Sequence, residues 1–222
     1  MIGFRPKYIT FDCYGTLIRF RMSDMAREMF AARVAAERMD DFVRDFGAYR
    51  FDEVLGAWKP YRDVIVNALA RTCKLWGVAF DEAEAETYYR AIPSWGPYPD
   101  VPEPLARIAK HIPLVALSNA SNDQIAANVA KLGAPFHATF TAESARAYKP
   151  RLQAFEYMFD QLGCSPADVL HVSSSLRYDL IPAYMLRIGA RAWVARGHDF
   201  PNPHFGYTEI KDIGGLPALV GL

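Results

Sequence analysis

Short apolar runs in this chain stop at polar residues, and long helical patterns separate them. Tyr8-Ile9-Thr10-Phe11 leads into Asp12, a turn at Gly15 and Thr16. Leu114-Val115-Ala116-Leu117 stops at Ser118-Asn119. Val169 to Ser173 leads into Ser174-Ser175, with Asp179 just beyond. A further segment, Ala147-Tyr148-Lys149-Pro150, sets a lysine before a proline that opens a helix. Apolar runs this short read as buried strands. Strands that alternate with helices build a parallel sheet covered on both faces. In such a sheet the strands' C-terminal ends share one edge, where open α/β folds take their ligands. The chain therefore predicts one crevice holding a carboxylate, hydroxyls, a cation and a second carboxylate.

The pattern differs between Arg21 and Ile92, where no strand signal occurs. Ser23 caps a helix predicted to run to about Phe46, with a break near Asp40-Asp41. Tyr61 to Trp76 is a second helix, with Tyr61, Ile65, Ala68, Leu69, Thr72 and Trp76 on one face. Gly77 ends it. Asp81 caps a third helix, Glu82 to Arg90, whose early acids suit the helix dipole. The turn-rich Ser94-Trp95-Gly96-Pro97-Tyr98-Pro99 is the return from this insert. Beyond it come helices over Asp123–Leu132, Arg151–Leu162 and Asp179–Arg187, and strands at Ala138–Phe140 and Ala192–Ala195. The expected fold is α/β: a doubly wound, Rossmann-like parallel core (residues 1–18 and 97–222) with a helical cap subdomain inserted after the first strand (19–96).

Composition removes several classes of function. Lys+Arg and Asp+Glu stand at 25 each, so the net charge is zero and nothing electrostatic points to nucleic acid or an anionic membrane. No apolar run approaches the roughly 20 residues of a membrane span, and Met1 to Lys7 has no signal-peptide core. Cys13, Cys73 and Cys164 have no CxxC spacing and read as free thiols, which makes the cytoplasm the expected location. The five histidines, His111, His137, His171, His198 and His204, have no metal-ligand spacing; His171 reads as buried in or near a strand.

Asp12-Cys13-Tyr14-Gly15-Thr16-Leu17, Leu117-Ser118-Asn119, Tyr148-Lys149-Pro150 and Ser173-Ser174-Ser175 through Asp179 together resemble the haloacid dehalogenase superfamily, most closely its L-2-haloacid dehalogenase branch. The resemblance covers essentially the whole chain. The superfamily's phosphatases resemble Asp-x-Asp at the first motif, where the second acid protonates a leaving alkoxide, and further acids hold magnesium. Tyr14 replaces that acid here, and serines stand where acids would help bind the ion. A halide leaves without a proton, so the loss of the acid is compatible with dehalogenation.

The resemblance implies a hydrolase for short 2-haloalkanoic acids that needs no metal and no cofactor. Asp12 would attack C2, expel halide and form an ester, which water would hydrolyse to a 2-hydroxyacid. Lys149 would lie against Asp12, and Asp179 would balance Lys149 and orient water. Thr16 and Ser173 would hydrogen-bond Asp12. Ser118, with backbone N–H groups near Cys13 and Tyr14, would take the substrate carboxylate. Asn119 would face the halide, and Ser174 and Ser175 would line the substrate. A cap arginine, Arg44 or Arg50, would bind halide, with Tyr61 and Trp58 as its apolar wall. The resemblance suggests a homodimer.

Two positions depart from the branch: Ser175 replaces an asparagine, with one extra residue before Asp179, and Phe155 stands where a tyrosine is usual. Plainer roles stay open: helix capping for Ser174 and Ser175, surface ion pairing for Arg44 and Arg50, core packing for Tyr61. So do a magnesium-dependent phosphatase or phosphonatase and a non-catalytic binding protein of the same fold.

Overall fold

A computed structural model describes residues 2–222. The chain divides into two compact units, Met1–Arg19 with Gly96–Leu222, and Phe20–Trp95. Strand β1 (Tyr8–Phe11) opens the first. The second consists of α1 (Met22–Phe30), α2 (Met39–Leu55), α3 (Tyr61–Trp76) and α4 (Glu82–Ala91). The first unit then resumes with α5 (Pro102–Ile108), β2 (Leu114–Ser118), α6 (Asn122–Val129), β3 (Ala138–Thr141), α7 (Ala142–Ala145), α8 (Leu152–Leu162) and β4 (Val169–Ser173). A π-helical turn (Leu176–Leu180) follows, then α9 (Ile181–Met185), β5 (Ala190–Val194), β6 (Thr208–Ile210) and α10 (Leu216–Leu219).

All six strands are parallel, in the order β3-β2-β1-β4-β5-β6. The chain winds outward from β1 in one direction through β2 and β3. It then returns to β1's other side and winds outward through β4, β5 and β6. The winding direction therefore changes between β1 and β4, and the crevice of a doubly wound sheet opens beyond the strand ends at that point. Central strands in such a sheet are buried on both faces, and β2 and β4 are buried at every residue. Val115, Leu117 and Val169 pack against Phe155, Met158 and Phe159 of α8 and Ala183 of α9.

In the four-helix unit, α3 buries Val64, Ile65, Ala68, Leu69, Thr72 and Cys73, the stripe expected of an amphipathic helix. Tyr61 and Trp76 lie at its edges, half-buried. Phe42 of α2 packs against Phe30 and, edge-on, against Trp76. Gly77 closes α3 with φ +63°, and Asp81 caps α4 by accepting from Ala83 N–H.

Three sequence expectations are corrected. The break between the first two helices falls at residues 31–35, not at Asp40-Asp41, which form the first turn of α2. Arg33 holds that break: its guanidinium stacks on Phe30 and donates to Met29 O, Ala79 O and Glu84. Ser23 is inside α1 rather than capping it. Asp179 lies within the π turn rather than opening a helix. Elements α5, α7, β6 and α10 are additions. The last three have four, three and four residues, too short for periodicity to register.

Candidate active site

Strand β1 ends at Phe11, so Asp12 is the first residue beyond the sheet edge, beside the winding reversal. The turn after it is tight. Cys13 C=O accepts from Thr16, Leu17 and Ile18 N–H, at 3.3, 2.8 and 2.9 Å. Gly15 has φ +93°, a conformation few other residues adopt, and a Cβ there would meet His198 and the Ser174 hydroxyl at 3.5 Å. This turn folds Thr16 back so that its Oγ1 donates to Asp12 Oδ2 at 2.7 Å. Thr16 Oγ1 in turn accepts from Ser174 N–H at 2.9 Å, which joins the turn after β1 to the end of β4.

Lys149 is 1% exposed, a costly place for an ammonium unless every hydrogen is matched. All three are: Nζ donates to Asp12 Oδ1 at 2.8 Å, Leu117 O at 2.9 Å and Asp179 Oδ1 at 2.7 Å. Burial alone would lower its pKa, but Asp12 and Asp179 outweigh burial and hold Lys149 above its ordinary value. The two carboxylates differ. Burial pushes Asp12 above the usual carboxylate range; Lys149 opposes this, and the negative charge of Asp179 adds to it. Burial acts the same way on Asp179, but Lys149 and His171 hold it below that range. Asp12 is thus the more basic carboxylate of the unreacted centre, and Asp179 the ionised partner of Lys149 and His171.

The other expected residues divide into those that join this centre and those that do not. Ser118 ends β2, and its buried Oγ has no hydrogen-bond partner among the described residues. Such an orphan at the C-terminal end of a central strand suits a bound ligand. The Cys13 thiol is buried, and burial pushes its pKa up, so Cys13 stays a neutral packing group. The Tyr14 hydroxyl donates to Asn128 Oδ1 at 2.7 Å.

Several expected roles change. Ser173 does not reach Asp12: it donates to Asp179 Oδ2 at 3.0 Å and accepts from Ser175 N–H. Ser175 caps the π turn through Tyr178 N–H and pairs with Asp199, so its hydroxyl is structural. Ser174 acts on Thr16, with their hydroxyl oxygens 3.1 Å apart. Asn119, expected to face halide, instead clamps the Lys149 main chain. Its Oδ1 accepts from Lys149 N–H at 2.7 Å and its Nδ2 donates to Lys149 O at 2.9 Å.

Arg44, Arg50 and Tyr61 belong to the four-helix unit. Arg44 forms an exposed i,i+3 pair with Asp41 at 2.7 Å, the plain role for such a residue. Arg50 lies over Phe20 and Phe46, 5.0 and 5.2 Å from the ring centroids, and its buried Nε has no hydrogen-bond partner among the described residues. Tyr61 opens α3.

Two residues were missed. His171 bridges Asp179 and Thr10, and Arg196 donates to Thr16 O and to both oxygens of Asp100. The sequence held one usable signal for His171. It stands two residues before Ser173 on a strand, hence on the same face.

A family model for haloacid dehalogenase-like hydrolases matches residues 6–183, and the chain belongs to that family. It is 29% identical over 176 residues to the (S)-2-haloacid dehalogenase of Xanthobacter autotrophicus, covering 76% of this chain and 68% of the other. It is 30% identical over 172 residues to haloacetate dehalogenase H-2 of a Moraxella species, covering 76% and 75%. The fold superposes with a TM-score of 0.77 on the L-2-haloacid dehalogenase structure from Xanthobacter autotrophicus with chloropropionic acid covalently bound. That pair is 25% identical, with 99% of this chain and 98% of the other covered. Among the described residues no helix is long and apolar enough to cross a membrane.

Proposed function

We propose that the protein is a metal-independent hydrolase of short 2-haloalkanoic acids. The observation that carries the reading is the Asp12–Lys149–Asp179 centre, with Tyr14 rather than an acid two residues after Asp12. The relatives are named as dehalogenases of (S)-2-haloacids and haloacetate, and the superposed structure carries its acid covalently bound. Asp12 attacks C2 in line, the carbon–halogen bond breaks with its electron pair on the halide, and an ester joins C2 to Asp12. The Ser118 hydroxyl takes the substrate carboxylate. Of the two arginines that the resemblance offers for halide, Arg50 is favoured over Arg44: its buried Nε has no hydrogen-bond partner among the described residues, whereas Arg44 is paired with Asp41.

Water then attacks Cγ of Asp12 while one of its protons passes to Asp179. The adduct collapses by breaking the bond between Cγ and the ester oxygen, and Asp179 returns the proton to that oxygen. The product is a 2-hydroxyacid, and the remaining proton leaves to solvent as Asp12 regains its charge.

The donor set does not fit magnesium, which wants octahedral oxygen ligation built on carboxylates. Tyr14 and Ser174 offer none. Asp179 already accepts from Lys149, His171 and Ser173, and Asp12 from Lys149 and Thr16. The test is halide release from L-2-chloropropionate with chelator present, then single turnover in oxygen-18 water. Unimpaired release and label in the Asp12 peptide are expected. Release that requires added magnesium, or label only in the product, overturns the reading.

A further inference from the structure

His171 is fully buried and lies on β4, where it pairs in register with Thr10 of β1. That pairing sets its Nδ1 2.8 Å from Thr10 Oγ1. Its Nε2 lies 3.1 Å from Asp179 Oδ1, and its ring meets Phe155 edge-on, with centroids 5.4 Å apart. The carboxylate only accepts, so Nε2 carries the hydrogen that reaches Asp179 Oδ1, and Thr10 Oγ1 is the partner of Nδ1. The nearest cation on the neighbouring strand, Arg191, is engaged with the Ile188, Phe205 and Gly206 carbonyls.

The hydrogen bonds at Asp179 can be counted. Oδ1 accepts from Lys149 and from His171, which fills both of its lone-pair directions. Oδ2 accepts from Ser173 and keeps one direction open. We propose that His171 is a positioning residue for ester hydrolysis: by closing Oδ1 it makes Oδ2 of Asp179 the one oxygen that takes the proton of the attacking water. This rests on the dehalogenase reading above. The step is the second half-reaction given there, with the proton on Oδ2 passing to the oxygen released from Cγ. Nothing in the first half-reaction uses it, since halide leaves without a proton.

The two half-reactions therefore separate in the test. The full-length protein, His171→Phe, His171→Gln and Thr10→Val are each mixed with excess L-2-chloropropionate. The chloride burst, steady-state turnover and mass of the Asp12 peptide are followed. In His171→Phe the burst keeps its rate, and turnover falls on the order of tenfold to a hundredfold, as when an orienting outer partner is removed. The ester on Asp12 then accumulates. His171→Gln returns an N–H toward Oδ1 and recovers part of the turnover. Thr10→Val keeps the imidazole but removes the partner of its Nδ1, and shows the same slow second phase in a protein whose core is otherwise unchanged. Normal turnover in His171→Phe, or burst and turnover falling together in all three variants, overturns the proposal. Absence of chloride release by the unmodified protein defeats the dehalogenase reading itself, and this proposal with it.

Discussion

Lys149 sets its ammonium 2.8 Å from Oδ1 of Asp12 and uses its other two hydrogens on Leu117 O and Asp179. One buried cation thus serves two buried anions. The centre carries more negative than positive charge, and Asp12 is the more basic carboxylate. That imbalance suits a nucleophile, because basicity and nucleophilicity of an oxygen rise together.

Lys149→Met leaves two carboxylates buried without a cation. Turnover is expected to be lost, and folding stability at neutral pH to fall by about 3–5 kcal/mol, as when one partner of a buried ion pair is removed. The sign with pH follows from linkage. Without Lys149 both folded carboxyls titrate above their unfolded value, so the folded form binds more protons and the deficit shrinks as pH falls. Urea unfolding at pH 7 and near pH 4.5 checks this. An equal deficit at both would mean that the lysine acts by packing alone.

Asp12→Asn keeps the shape of the side chain and removes one anion of the surplus. Chloride release is expected to disappear while the thermal midpoint stays level or rises, because Lys149 keeps Asp179. Steady-state kinetics beside a thermal melt tests both parts. Residual turnover, or a clear loss of stability, would remove Asp12 from the role given to it.

Thr16 donates to Asp12 Oδ2 at 2.7 Å and accepts from Ser174 N–H at 2.9 Å. A hydrogen bond to a charged group contributes about 1.5–3 kcal/mol. Thr16→Val is expected to lower kcat/KM by roughly tenfold to a hundredfold, at 1.4 kcal/mol per factor of ten. Thr16→Ser, which keeps the hydroxyl, should recover most of it. A valine variant as active as the parent would show that Lys149 alone orients Asp12.

The strand-end logic made the heart of this site legible. Asp12, Lys149 and Asp179 are far apart in sequence, yet a parallel sheet leaves them one edge to share, and the hydrogen bonds join all three. What escaped depends on side-chain direction. Asn119 and Ser173 lie at the expected strand ends, but which neighbour each bonds is decided by the Lys149 main chain and by the π turn. A π turn has no distinct sequence period. A histidine in an apolar strand reads as core until Asp179 is known to lie beside it, and Arg196 acts on a backbone carbonyl, which no residue pattern reveals.

Arg196 gives the last prediction. Its guanidinium donates to Thr16 O at 3.1 and 3.3 Å and to both oxygens of Asp100 at 2.7 and 2.9 Å, and it lies 4.0 Å from the Tyr98 ring centroid. Asp100 also accepts from Ile213 N–H. Burial would raise the Asp100 carboxyl, but Arg196 and that N–H outweigh it and hold Asp100 below its ordinary range. A depressed folded pKa stabilises the fold above the unfolded value, near 4, and that contribution is lost as pH falls through the folded value. Asp100→Asn should therefore weaken the protein at pH 7 and make little difference near pH 2.5, where the parent has lost the same contribution. Arg196→Lys cannot keep the fork onto Asp100 and the Thr16 carbonyl together. It should reproduce the stability loss at neutral pH and also slow turnover, since the Thr16 carbonyl belongs to the turn that aims Asp12. Equal unfolding midpoints for Asp100→Asn and the parent at pH 7, with full activity in Arg196→Lys, would show that this clamp holds neither the fold nor the nucleophile turn.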